Sequence, residues 1–180
     1  PEFPAGPFDV IYADPPWQYR EGTTDPSREI ENHYETMDLE AIKELDVPAA
    51  DDCVLYLWVT SPKVAEAVDV LRAWGFDYRT SAVWDKGSIG PGYWFRSQHE
   101  LLFVGAKGSP PTPDVEARRS SVFNADRSAH SEKPDRVRRH IAEAHPDARR
   151  LEMFSRDGTV GWELWGDESP DSKQATIGDI

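Results

Sequence analysis

Four consecutive residues, Asp14-Pro15-Pro16-Trp17, set an acid, two ring-locked prolines and an indole directly after the apolar run Phe8-Asp9-Val10-Ile11-Tyr12-Ala13. Proline fixes φ and offers no N–H, so a strand through Ala13 must end there, with its carboxylate and carbonyls directed outward. A carboxylate beside a rigid carbonyl is an acceptor pair for both hydrogens of an exocyclic amine. On a planar base that nitrogen is a poor nucleophile, because its lone pair is delocalised into the ring. Holding both hydrogens draws the nitrogen toward tetrahedral geometry and localises the pair for attack. In this reading Asp14 and the Pro15 carbonyl hold the amine, Pro16 stiffens the turn, and Trp17 stacks on a flipped or single-stranded base. Such a stack is worth on the order of 1–3 kcal/mol. A strand-end Asp alone says little, since turns favour it. The whole tetrapeptide after a buried strand says much more.

No metal is implied. His33, His99 and His130 are not at metal-ligand spacing, and no His-Cys pair suggests a zinc deaminase site. Cys53 opens a buried strand and reads as packing. Gly87, Gly90 and Gly92 match neither a P-loop nor a dinucleotide fingerprint and read as a flexible lid.

The elements that must hold this turn alternate between two periods. Val54 to Val59 is a nearly continuous apolar run, the mark of a strand buried on both faces. Ser61-Pro62 supplies an N-cap and a first-turn proline for a helix with Val64, Ala67, Val68, Leu71 and Trp74 at helical spacing, ended by Gly75. Asp38 to Leu45 reads as a short helix. A further helix starts at Pro134, with Val137, Ile141 and Ala144 inward. Further strands are expected at Tyr78–Trp84, Glu100–Val104, Arg150–Phe154 and Gly161–Trp165. Strand and helix in alternation predict an α/β sandwich with a largely parallel sheet. Ligands of such sheets sit beyond the carboxyl ends of the strands, which is where Asp14 hangs.

The 180 residues suit one domain, read as residues 1–168, with a polar tail over 169–180. Hydrophobic residues are 38 % of the chain and seven are Trp, enough for a core, so global disorder is excluded. No run reaches the ~20 apolar residues of a membrane span, and a single cysteine excludes an internal disulfide framework. A soluble, cytoplasmic protein with no membrane partner is expected. The net charge of −13 argues against wrapping a polyanion. The charge is uneven, however: residues 118–156 carry ten basic and six acidic side chains. Any nucleic acid is therefore expected on the side of Arg118, Arg119, Arg127 and the Arg136–Arg139 cluster, in a salt-sensitive way.

Together these motifs resemble the DPPW-type adenine-N6 methyltransferases, the family of the eukaryotic mRNA adenosine methyltransferase and of many small phage and bacterial enzymes. Besides Asp14 to Trp17, the likeness includes Asn32-His33-Tyr34 with Thr36-Met37, Leu55 to Thr60, and Gly92-Tyr93-Trp94 leading to Glu100. It continues through His130 with Lys133-Pro134-Asp135, Glu152 to Arg156, and Gly161-Trp162 with Trp165 to Glu168. It spans about Phe8 to Glu168, and the short connections are most like the phage and bacterial members.

The resemblance implies a Rossmann-like methyltransferase sandwich in permuted motif order, with S-adenosylmethionine as methyl donor. It implies donor contacts from Asp14, Lys133, Glu152, Phe154, Arg156, Asp167 and Glu168. Lys133 matches the lysine at the donor's carboxylate, and Phe154 and Arg156 match residues on the ribose and adenosine side. Asp167 stands where the family more often has Asn, which removes an amide donor and adds charge. Glu152 is read either as a ribose contact or as a partner of Arg149 or Arg150. Acceptor contacts are implied for Trp17, Tyr34, Tyr93 and Trp94. The acceptor favoured by this likeness is DNA in a phage or bacterial host cytoplasm, with RNA as the alternative. A homodimer or heterodimer is in keeping with the family. A non-catalytic nucleic-acid-binding or complex-stabilising subunit is the rival reading, opposed by the intact Asp14 to Trp17.

Overall fold

The computed structural model describes residues 2–18, 36–125, 133–155 and 158–166. The strands are β1 (Phe8–Ala13), β2 (Ala49–Val59), β3 (Asp77–Asp85), β4 (His99–Lys107), β5 (Val122–Asn124), β6 (Arg150–Met153) and β7 (Glu163–Trp165). The helices are α1 (Leu39–Lys43), α2 (Val64–Ala73) and α3 (Asp135–Ala144). The seven strands form one sheet in the order β5-β3-β4-β2-β1-β6-β7. β1 lies parallel to β2 and β6, β6 to β7, and β3 to β5, whereas β4 is antiparallel to both β2 and β3. The largely parallel expectation holds with this one reversal. Its consequence is functional: the start of β4 lies at the edge where the other strands end.

The period of two along the central strands divides the core. Phe8, Ile11, Ala13, Leu55, Leu57, Leu151 and Met153 pack on one face, with Ile42 of α1, Val70 and Leu71 of α2, and Trp74. Val10, Tyr12, Trp58, Trp84 and Leu102 pack on the other, with Val137 and Ile141 of α3. α3 buries Val137, Ile141 and Ala144, the three residues expected to face inward.

α2 differs from expectation at its start. Lys63, not Ser61, takes its N-cap place, and Ser61–Lys63 is a preceding 3₁₀ turn that follows Thr60 and has Pro62 in its first positions. The Ser61 hydroxyl is instead paired with His99 Nε2 at 3.1 Å. After the helix, Gly75 adopts φ +84°, a left-handed conformation that glycine reaches without a Cβ penalty. The Trp74 indole donates to the Ile42 carbonyl at 2.9 Å, tying α2 to α1.

Candidate active site

β1 ends at Ala13 because Pro15 and Pro16 cannot continue the ladder, and this leaves Asp14 at the carboxyl edge of the sheet. Trp17 N–H turns back to the Pro15 carbonyl at 2.8 Å, and the Pro16 carbonyl accepts from Met37 N–H at 3.1 Å. The Pro15 oxygen keeps a second lone pair. Trp17 is only 7 % exposed and belongs to the core, with its indole N–H donated to the Trp58 carbonyl at 3.2 Å. It anchors the turn from below and borders a cavity of about 200 Å³ with Met37, Leu39 and Ile42.

Lys133, just ahead of α3, places its ammonium 3.0 Å from Asp14 Oδ2 and 3.2 Å from Glu100 Oε2. The other Glu100 oxygen pairs with Lys86, the first residue after β3. The four side chains thus alternate in charge from β1 through α3's approach and the start of β4 to the end of β3. Glu100 arrives there only because β4 runs backwards.

Two indoles support the cations. Lys133 Nζ lies 5.6 Å from the Trp58 ring centre and Lys86 Nζ 5.1 Å from that of Trp84, while the two rings meet edge to face at 5.8 Å. Cation–π attraction of this kind is worth about 0.5–2 kcal/mol, more as water is removed. Beneath them Trp58 Nε1 donates to Tyr12 Oη at 2.6 Å.

Burial alone would push the Lys133 ammonium toward neutrality, but Asp14 and Glu100 outweigh it and hold its pKa above the ordinary lysine value. Burial alone would likewise raise Glu100, yet Lys133 and Lys86 hold its carboxyl below the ordinary range. Lys133 and Glu100 are thus charged, and with Lys86 they are largely shielded. Asp14, at 36 % side-chain exposure, is the open end.

The neighbouring strand ends are also unusual. Phe154, directly after β6, has φ +61°, a conformation a non-glycine residue holds at a cost of order 1–3 kcal/mol. Its ring meets Trp165 edge to face at 5.2 Å. At Gly166 a Cβ would stand 3.0 Å from Ser155 N and 3.1 Å from Phe154 Cα. Only glycine lets β6 and β7 leave the sheet this close together.

Glu152 points to the α3 face, where Arg138 meets it at 3.1 Å. Its cation is neither Arg149 nor Arg150, because both of those are committed at the opposite edge of the sheet. Arg138 is accordingly turned inward, and also pairs with Thr159 Oγ1. Arg139 pairs along its own helix with Asp135 at 3.1 Å, and Arg136 donates to the Asn124 carbonyl at 2.7 Å.

The connection between β3 and β4 is held by its own hydrogen bonds. Gly90 N–H donates to the Ser97 carbonyl at 2.6 Å, Arg96 Nε to the Gly90 carbonyl at 2.8 Å, and Gly87 N–H to Asp85 Oδ1 at 2.9 Å. A Cβ on Gly92 would fall 2.0 Å from the Phe95 carbonyl oxygen, which accounts for that glycine. At the tip Tyr93, Phe95 and Trp94 are 88 %, 90 % and 96 % exposed. Of the expected site residues, Tyr34, Arg156, Asp167 and Glu168 lie outside the described residues, as do Arg127 and His130. Lys86 and Phe95 carried no role in the sequence reading. Lys86 gives itself away only by its pairing with Glu100 across the β3–β4 connection.

The profile of the MT-A70 family matches residues 8–168. The chain belongs to the MT-A70 family. It is 38 % identical to the type II methyltransferase M.MunI of Mycoplasma sp, over 96 % of this chain and 82 % of that protein. It is 30 % identical to the N(6)-adenosine-methyltransferase MT-A70-like protein of Drosophila melanogaster, over 86 % of this chain and 25 % of the relative. The Homo sapiens N(6)-adenosine-methyltransferase catalytic subunit METTL3 is 28 % identical over 86 % of this chain, which spans 27 % of its length. An MT-A70 chain is a methyltransferase, and the seven-stranded sheet with helices on both faces is its Rossmann-like fold. No helix among the described residues is long and apolar enough to cross a membrane.

Proposed function

We propose that this MT-A70 domain transfers a methyl group from S-adenosylmethionine to the N6 amine of adenine in DNA. The observation that carries the reading is the Asp14 carboxylate, 36 % exposed at the edge of the sheet and held by Lys133 at 3.0 Å. A carboxylate so fixed accepts an amine hydrogen without reorganising, and the remaining lone pair of the Pro15 carbonyl takes the second. Asp14 then accepts the proton that methylation makes acidic. No covalent enzyme intermediate is needed.

The residues present fit the donor. S-adenosylmethionine would supply an electrophilic methyl group on a sulfonium. Lys133 is the cation to which a methionine carboxylate would bind, beside the acid that faces the reaction. The close exit of β6 and β7 at Phe154 and Gly166 is a cradle that a Cβ would fill, in keeping with an adenosine lying against backbone. Arg156, Asp167 and Glu168 follow directly in the chain and complete the proposed donor set. Glu152, engaged by Arg138, would act from behind that edge.

Acceptor contact falls to the exposed Tyr93 and Trp94, with Tyr34 as the further contact that the family resemblance implies. Trp17, being buried, supports the base from below the turn rather than offering an open face. DNA is favoured because the type II methyltransferase is both the more similar of these relatives and the one matched over most of its length, 82 %. RNA is the second reading, favoured by the names of the N(6)-adenosine relatives, of which this chain is about a quarter.

The deciding assay is methyl transfer to matched single- and double-stranded DNA and RNA oligonucleotides, with the product nucleoside identified by mass spectrometry. N6-methyladenine in DNA, better in single strands than in duplex because the base must leave its stack, is the expected result. Exclusive use of RNA would move the reading to its alternative. Donor binding without transfer to any oligonucleotide would sink it.

A further inference from the structure

We propose that Lys86 is a positioning residue for methyl transfer: by holding the far oxygen of Glu100, it leaves Lys133 to hold Asp14 in place. The inference rests on the role given above to Asp14 and Lys133. Lys133 stands almost midway between two carboxylates, 3.0 Å from Asp14 and 3.2 Å from Glu100. Without a second cation, one ammonium would answer two anions. Glu100 is the better shielded of them, at 11 % side-chain exposure against 36 % for Asp14, so its demand would prevail. A buried carboxylate cannot leave its compensation to water. Lys133 would be drawn toward Glu100, and its hold on Asp14 would weaken.

Lys86 is built into its place from three directions. Its backbone N–H donates to the Gln98 carbonyl at 2.9 Å, closing the base of the β3–β4 connection. Its ammonium lies over the Trp84 ring, and its neighbours Trp84 and Glu100 are paired across the β3–β4 ladder. The same residue that balances Glu100 therefore also closes the loop that carries Tyr93 to Phe95. A shift of that loop base would move the charge on Glu100, and through Lys133 the grip on Asp14.

The test is a set of variants of the whole chain: Lys86→Met, Lys86→Arg, Glu100→Gln, and Lys86→Met with Glu100→Gln. Calorimetric binding of S-adenosylhomocysteine and steady-state methyl transfer are measured for each. Lys86→Met is expected to weaken donor binding roughly tenfold, the scale of one disturbed charge-assisted hydrogen bond, and to lower kcat further. Lys86→Arg should restore most of both. In the Glu100→Gln background Lys86→Met should add little, because the anion it answers is gone. Full additivity of the two substitutions, or a Lys86→Met protein equal to wild type, would overturn the inference.

A second measurement needs no ligand. Melting temperatures of Lys86→Met and Asp14→Asn, alone and together, should be non-additive, and additive once Glu100 is Gln. Wild-type protein that binds no donor would sink the methyltransferase site while leaving this melting cycle to decide the coupling.

Discussion

The two edges of the sheet use cationic side chains for opposite ends. At the amino edge Arg149 and Arg150 are spent mainly on backbone. Arg149 donates to the carbonyls of Ala5 at 2.9 Å and Pro7 at 3.2 Å, reaches Glu163 at 2.6 Å and lies 4.7 Å from the Phe8 ring centre. Arg150 donates to the His145 carbonyl at 2.7 Å and to that of Gly161 at 3.2 Å. At the carboxyl edge the cations are lysines, and they meet carboxylates. A guanidinium is a rigid fork that ties several fixed acceptors, whereas an ammonium is a point charge that can be shared or handed over. The first arrangement closes loops. The second holds one carboxylate, Asp14, oriented and partly exposed.

The largest effect that separates the two edges should come from Asp14. Asp14→Ala removes the acceptor of the amine and of its proton, a loss on the order of 10³ in kcat. The melting temperature should change little, because the lost side chain is the exposed end of the ion chain. Methyl incorporation and a thermal melt on the same preparation check both halves. An Asp14→Ala protein with near-normal turnover would make the carboxyl edge merely structural, like its opposite.

Next is the loop tip. Trp94→Ala should raise the acceptor KM about tenfold, the value of one base–aromatic stack, with donor binding unchanged. Equal weakening of donor and acceptor would show that the tip acts through the ion chain and not by contact.

Much of this contrast was legible in sequence, and the rest had a physical reason to be hidden. Phe8–Ala13 followed by two prolines marks a strand and its end without ambiguity, and the 3.6-residue spacing of Val137, Ile141 and Ala144 marks the inner face of a helix. The reversal of β4 was not legible, because a strand's apolar pattern does not encode its direction. With direction hidden, nothing could bring Glu100 to Lys133. Trp17 looked like a stacking face because an indole in a turn offers one, but its N–H found the Trp58 carbonyl and its ring the core. Arg138 reads in sequence as part of a basic cluster facing nucleic acid, yet Glu152 on β6 turns it inward. Each of these is a pairing between segments distant in sequence.

A smaller effect concerns pH. Glu100 has a depressed pKa when folded, so its contribution to stability is complete above the ordinary carboxylate value of about 4.3 and is lost as pH falls through the folded value. Lys133 has a raised pKa, so its contribution is complete below about 10.4 and is lost as pH rises through the folded value. The ion chain therefore spans the neutral range and fails first on the acid side. Glu100→Gln should flatten the acid limb of melting temperature against pH below about 5. An unchanged acid limb would assign acid lability to the carboxylates of the rest of the chain.

The smallest expected change in chemistry is the one that tests the amino edge. Arg149→Ala frees the carbonyls of Ala5 and Pro7 and the Glu163 carboxylate, and removes a cation from the Phe8 ring. These groups are half exposed, so water replaces much of what is lost, and the cost to stability should be about 1–2 kcal/mol. Turnover at a temperature well below the melt should stay within twofold, because β1 lies between Arg149 and Asp14 and is held by β2 and β6 on either side. Urea unfolding and initial rates on one preparation separate the two quantities. A rate loss as large as that of Asp14→Ala, with stability intact, would mean that β1 transmits strain along its length, and the division of labour between the two edges would fail.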